Sequence, residues 1–527
     1  MKEHIVALCY ILLIAGVCFA LLYKPMTARL MSRDDFARRR NLFIAVTVIT
    51  FLAHSFWVAL FACMLVIGLS ARRESNPAAL YCALLFAVPQ YDVPIPGFGI
   101  INQLFEINHP RAMALALLLP VALRLLSSPR TPNPRLRVPD TLLLVYFLYV
   151  LVVNATADSI TGLMRLSVYF LLDHALLYFV VTRTVTSRQR LFDLLASLTM
   201  GLAVIGIVAV FETNRSWLVY ESLRAPLGVP EAELTSYLIR ETDYGGYLRS
   251  YTTAGHAIAL GFVCMVVTTF QLALARQYLP RWLGVVVILM PVAGLIASIS
   301  RGPWLACAIA VALGLSVGTG ARRRVAWMAA LVPLGAVVLL LHPQGQKFID
   351  LLPFVGAVEP GSVTYRTLLI DRALVVFWQN PILGSLQYIQ NPVLEELRQG
   401  QGIIDIVNTY LGVALAYGIV GLVLFVAPAV YAVGASWHVS RRLARVDPAA
   451  EVAGRALYAA MIAALLAIGA ASFYFHIPLL YWWLISLCAA YSAHAPSWRS
   501  TAAVSQPQSA RVAATSRPTA ATTWSRQ

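Results

Sequence analysis

The sequence predicts an all-α fold: a polytopic transmembrane bundle of about 12–15 helices with a long, partly helical loop on its outer face. Three observations predict it. Hydrophobic residues make up 59 % of the 527 residues and charged residues only 12 %, against about 25 % charged in a soluble domain. Apolar runs of about 17–25 residues recur, the length a membrane helix needs; outer-membrane barrels instead show short alternating segments. Arginine clusters punctuate those runs. The net charge of +16 therefore reads as a positive-inside signal rather than a nucleic-acid footprint.

The elements follow in order. Residues 5–23 form the first apolar segment, with Lys2 before it and Lys24, Arg29, Arg33 and Arg38 to Arg40 after it. A cleaved leader carries its positive charge in front, so this reads as an uncleaved helix with its N-terminus outside. Residues 42–70 are too long for one comfortable span, and arginines flank both ends. Two short helices turning near His54-Ser55 keep both flanks inside, and one long tilted helix is the alternative. Further segments lie at roughly 78–90, 111–126, 140–155, 163–182, 191–212, 253–275, 282–299, 302–318, 325–341, 408–435, 456–472 and 477–494.

This alternation places every basic cluster on one side. It predicts a bacterial inner-membrane protein with a periplasmic N-terminus and a cytoplasmic C-terminus. The expected organisation is 1–244 N-terminal helices, 245–435 a core with the outer loop 342–407, 436–494 a C-terminal hairpin and 495–527 a disordered tail. Within the loop, Val363–Trp378 shows helical spacing and Asn380-Pro381 stops it; Pro392–Leu397 is a second short helical stretch. The seven cysteines all lie in apolar stretches and read as small buried hydrophobes.

Charge on the outer face marks the candidate site. Arg301 stands in Ser298-Ile299-Ser300-Arg301-Gly302-Pro303-Trp304 between two apolar helices. It either snorkels to lipid phosphates or binds an anion at the next helix's N-terminus, where Gly302 leaves the backbone open. Arg249 precedes Ala254-Gly255-His256 at the start of another helix; its plain alternative is pairing with Asp243 or Glu241. Arg366 opens the loop helix. Asp173-His174 lies inside an apolar helix and reads as a helix–helix contact. No nucleotide-binding or metal motif is present in the sequence, so neither a metal nor a cofactor is expected. Outward arginines suit a diphosphate, which guanidinium binds in bidentate fashion.

These segments resemble the O-antigen ligase and polysaccharide polymerase superfamily of bacterial membrane proteins. Ser300-Arg301-Gly302-Pro303-Trp304-Leu305-Ala306 is similar to its Ser-Arg-Gly element. Tyr365-Arg366 through Trp378, then Asn380-Pro381-Ile382-Leu383-Gly384, is similar to its loop helix ending in Asn-Pro-x-x-Gly. Asn408-Thr409-Tyr410-Leu411 with Gly418-Ile419-Val420-Gly421 is similar to the helix re-entering the membrane. The resemblance covers about 245–425. It implies an inverting, metal-independent transfer of glycan from undecaprenyl diphosphate to an acceptor hydroxyl on the periplasmic face. It implies diphosphate binding by Arg301 and Arg249, with Arg366 a third candidate.

The implied partners are the lipid-linked glycan donor, a glycan or lipid-linked acceptor, membrane lipid and other polysaccharide export proteins. Ligases carry a His eleven positions before the Gly of that re-entering helix, and here the place is held by Val407. The base then falls to His256, to Asp405 or to Glu395/Glu396, with His256 preferred. A polymerase of exopolysaccharide or O-antigen repeats is the favoured expectation. The rivals are a ligase, a transporter of lipid-linked glycan and a non-catalytic partner.

Overall fold

A computed structural model describes residues 3–99, 102–128, 133–156, 159–230, 248–316, 360–398 and 402–498, with short helical pieces between 322 and 341. Asp243, Glu241, residues 342–359 of the long loop and the tail from 499 lie outside the described residues, as does most of the expected helix 325–341. The described residues are 79 % helical. Among the described residues seven helices are long and apolar enough to cross a membrane, and shorter apolar helices accompany them. The fold is an all-α polytopic bundle.

Burial sorts the helices. In the most apolar 18-residue stretch of Arg188–Arg215, 83 % of the residues are buried, whereas in that of Pro134–Ala155 22 % are. The first is a central strut, and the second turns most of its surface outward. Around the strut pack Glu3–Arg29, Pro77–Leu84, Ala257–Tyr278 and Arg281–Ala297, and Pro448–Ile468 packs in turn on Ala257–Tyr278 and on His476–His494. Six cysteines are buried in this core; Cys9 is exposed, because it lies on the outward side of the helix Glu3–Arg29.

The expected turn near His54-Ser55 is present between helices Arg33–Leu52 and Phe56–Ala71. At the arginine-rich end, Arg39 is fully buried against Asp193 at 2.5 Å and Glu74 at 2.6 Å. A buried cation needs such partners, and this cluster ties two helices to the turn that carries Glu74. Asp173 pairs with Arg111 of a neighbouring helix at 2.8 Å, as a helix–helix contact should. The pair sits beside π-helical turns at Ala114–Leu118 and Leu171–Ala175, which widen both helices locally.

Two features depart from the expected pattern. The segment near 78–90 is helical only over Pro77–Leu84. It continues as buried non-helical chain whose carbonyls need partners at depth. Thr47 donates to the Ala87 carbonyl at 3.3 Å and Thr253 to that of Phe86 at 3.1 Å. A small antiparallel hairpin follows, Val93–Pro96 with Gln103–Ile107, pairing Val93 with Ile107. Pro94 and Pro96 cannot donate to a ladder, which confines such a strand to an edge.

The outer loop has its own core. Helix Pro360–Phe377 packs Leu369, Ala373 and Val376 against Leu394 and Leu397 of the 3₁₀ turn Pro392–Leu397. The helix Thr409–Leu443 breaks at Gly418, whose φ of 66° and ψ of −170° belong to glycine alone. The broken turn is filled by the segment 381–385. Ile419 N donates to the Pro381 carbonyl at 2.9 Å and Ser385 N to that of Leu415 at 2.8 Å. Gly384, at φ 73°, lies so close to the Tyr417 and Gly418 amides that a methyl group there would overlap them.

Candidate functional site

Four loops meet at one end of the bundle. The first, 248–256, precedes helix Ala257–Tyr278. The second, 298–300, joins Arg281–Ala297 to Arg301–Ser316. The third, 469–475, joins the last two long helices, and the fourth, 402–408, leads into Thr409–Leu443. Ser250 N donates to the Ala297 carbonyl at 3.1 Å. Arg249 is buried, with its Nη2 3.3 Å from Ser300 Oγ. Arg249 is thus seated on the turn that launches Arg301. Arg301 itself is the first residue of its helix and half-buried. Next to it, Gly302 faces Ala470 with room for ordinary contact, an added methyl lying 3.4 Å from the Ala470 Cβ.

The third loop connects this pair to Asp405. Ser472 Oγ donates to Asp405 Oδ1 at 2.6 Å, and Thr409 Oγ1 donates to the Ala471 carbonyl at 2.8 Å. Tyr365, beside Arg366, donates to the Asp405 carbonyl at 2.9 Å. Burial pushes the Asp405 carboxyl up, against the opposing pull of the Ser472 bond and the Arg366 charge. Asn408 caps the following helix, accepting from Tyr410 N at 3.0 Å and Leu411 N at 3.2 Å. Val407 lies between Asp405 and that cap.

His256 has a defined structural task. Its Nδ1 accepts from Ile258 N at 3.1 Å and so caps helix Ala257–Tyr278. Its ring stacks on Phe475, with 6.2 Å between centroids. Burial first, then the Arg249 charge, push the imidazole down to about 3. The neutral ring therefore carries its proton on Nε2, since Nδ1 is the acceptor. Glu395 and Glu396 are exposed and paired with Arg398 at 2.6 Å and Arg372 at 2.7 Å; the Arg398 hydrogen bond holds the Glu395 carboxyl below its ordinary range. Arg366 is exposed on the loop helix.

Backbone strain gathers here. Thr252, Ile299 and Phe475 have φ of 47°, 45° and 55°, and among the described residues only Ser216 shares that non-glycine conformation. Each such residue costs about 1–3 kcal/mol, and one falls in each of three converging loops. Sequence reading missed the fastening beneath them. Glu212, buried at the end of the central strut, accepts from Ser250 Oγ at 2.6 Å, Val219 N at 3.0 Å and Thr252 N at 3.2 Å. An acidic residue ending a long apolar run was the available signal. The loop 469–475 gave none, because its strained Phe475 is an ordinary aromatic in sequence.

Residues 283–426 match the family model described as O-antigen ligase. This is a domain of the O-antigen ligase/polymerase superfamily. No curated protein matches the chain. The O-antigen ligase domain contains Arg301, Arg366, Asp405, Asn408 and the Gly418 break. It omits Arg249, His256, Glu212 and the loop 469–475, so one wall of the loop cluster lies beyond the O-antigen ligase domain.

Proposed function

We propose that the protein is a membrane glycosyltransferase that polymerises undecaprenyl-diphosphate-linked oligosaccharide repeats on the periplasmic face of the inner membrane. The observation that carries this reading is the meeting of Arg249 and the Arg301 turn with Asp405 on one strained loop cluster. An acceptor hydroxyl attacks the anomeric carbon. The bond from that carbon to the diphosphate oxygen breaks, with inversion and without a metal. Arg301 and Arg249 hold the departing diphosphate, whose charge grows as the bond breaks. Arg366 approaches from the loop helix.

Asp405 is the favoured base. Its raised carboxyl suits proton acceptance nearer neutrality, and it stands two residues from Val407. His256, occupied as a cap and holding its proton on Nε2, is assigned to holding the helix start. The ligase reading, transfer to lipid A core or another acceptor, is favoured by the description of the matching domain.

The test uses purified protein in lipid, a short polyprenyl-diphosphate-linked glycan and mass spectrometry of the products. Longer lipid-linked chains that disappear in Arg301→Ala are expected. Transfer to an added lipid A core without chain growth would establish the ligase instead. Glycan moved across the membrane with no covalent change would overturn both.

A further inference from the structure

The outer loop forms a cleft of about 210 Å³. Gln379, Asn380, Gln387, Gln390 and Asn391 line it with Tyr388, and among the described residues no charged one does. Carboxamides both donate and accept hydrogen bonds. A wall of five matches the mixed donors and acceptors of vicinal hydroxyls. It offers no countercharge to an anion or a cation. The volume is below that of sites for drug-sized ligands, about 300–1,000 Å³, and suits a single sugar ring.

The cleft is a built feature. Asn391 Nδ2 donates to Gln379 Oε1 at 2.7 Å, joining its two sides. The Ser385 amide bonds the Leu415 carbonyl, fixing its floor to the membrane helix. Its position is equally specific. Tyr388 packs on the same apolar cluster as Ile404 and Ile406, the chain neighbours of Asp405. Trp378, Ile382 and Leu383 stand 71 %, 63 % and 58 % exposed along the same stretch of chain, an apolar margin of the kind a lipid carrier would lie against.

We infer that this cleft is a subsite for one uncharged sugar residue of a lipid-linked glycan. The inference rests on the glycosyltransferase reading above and extends it to the chemistry of the sugar.

The test measures binding to the full-length protein in nanodiscs. The probes are polyprenyl diphosphate carrying a neutral tetrasaccharide, the same carrier without sugar, and the free tetrasaccharide. Gln387 and Gln390 are exposed, so a Gln387→Ala/Gln390→Ala protein should fold. It should bind the neutral lipid-linked glycan about tenfold more weakly, the worth of one or two hydrogen bonds, and bind the bare carrier as before. An equal loss for the free saccharide would assign the subsite to the acceptor; a loss confined to the lipid-linked probe would assign it to the donor. Unchanged affinity for both glycans, or an equal loss for the bare carrier, overturns the inference.

Gln387→Glu preserves size and adds charge. It should weaken a carrier-linked uronic acid about tenfold relative to the neutral glycan; no discrimination would count against the subsite. Absence of transfer by the wild type would defeat the catalytic reading alone, because the binding difference is read without turnover.

Discussion

Ser472 donates a 2.6 Å hydrogen bond to the Asp405 carboxylate, joining a loop outside the O-antigen ligase domain to an acidic residue within it. The bond lowers a carboxyl that burial raises. Removing it in Ser472→Ala should raise the Asp405 pKa further. Since a base must be ionised, the acid limb of kcat should move to higher pH. A pH–rate profile checks this, and an unmoved limb would remove Asp405 from the mechanism. Asp405→Asn should cost about 10²–10⁴-fold in kcat, the range for a general base.

Arg301→Ala and Arg249→Ala should each lower turnover by about 10²–10³-fold, as loss of a charge-stabilising donor does. Arg301→Lys keeps the charge but not the planar fork, so it should recover only part of that loss. Release of polyprenyl diphosphate is the readout. Wild-type release by Arg301→Ala would sink the proposed leaving-group role.

His256→Asn offers a discriminating substitution, because asparagine also caps helices. It should keep most activity if His256 holds the helix start, and lose it if the imidazole takes the proton. Stability gives an independent check. The ring's pKa falls from the ordinary 6.5 to about 3 on folding. Between those values acid protonates the unfolded chain and not the folded one. His256 therefore withdraws stability as pH drops from 6.5 towards 3, and His256→Asn should flatten that part of the Tm profile.

Glu212→Gln leaves one oxygen acceptor where three donors converge. We expect destabilisation of about 1–3 kcal/mol and a fall in kcat with little change in KM. Glu212→Asp, which restores both oxygens on a shorter stem, should recover part of the kcat. A purely structural Glu212 would lower Tm while leaving kcat per folded molecule intact.

Gly418→Ala and Gly302→Ala should separate folding from function. At Gly418 an added methyl meets the Ile382 carbonyl, in a conformation only glycine adopts, so little folded protein should be recovered. At Gly302 it makes ordinary contact with Ala470, so the protein should fold. Its activity should nevertheless drop if a diphosphate approaches that backbone. Size-exclusion profiles and transfer assays together read both.

Much of this was legible in sequence because it depends on local chemistry. The turn at Ala53–Ser55, the stop after Phe377 and the entry at Asn408 follow from span length, Asn-Pro and a capping side chain. Arg301 stood out because a charge between two apolar helices has few explanations. What escaped depends on distant partners. The non-helical chain after Leu84 has its carbonyls met by Thr47 and Thr253, which reach it from elsewhere. Glu212 matters through Ser250 and Thr252, and the strained φ values of Thr252, Ile299 and Phe475 leave no mark on composition.

The clip between 381–385 and the break at Gly418 has a mechanical consequence. Its fasteners are main-chain hydrogen bonds, so traction on the outer loop passes directly into the membrane helix. The loop's end behaves as a riveted joint rather than a hinge. Load on the loop is carried by that backbone rather than by the side-chain bond between Ser472 and Asp405.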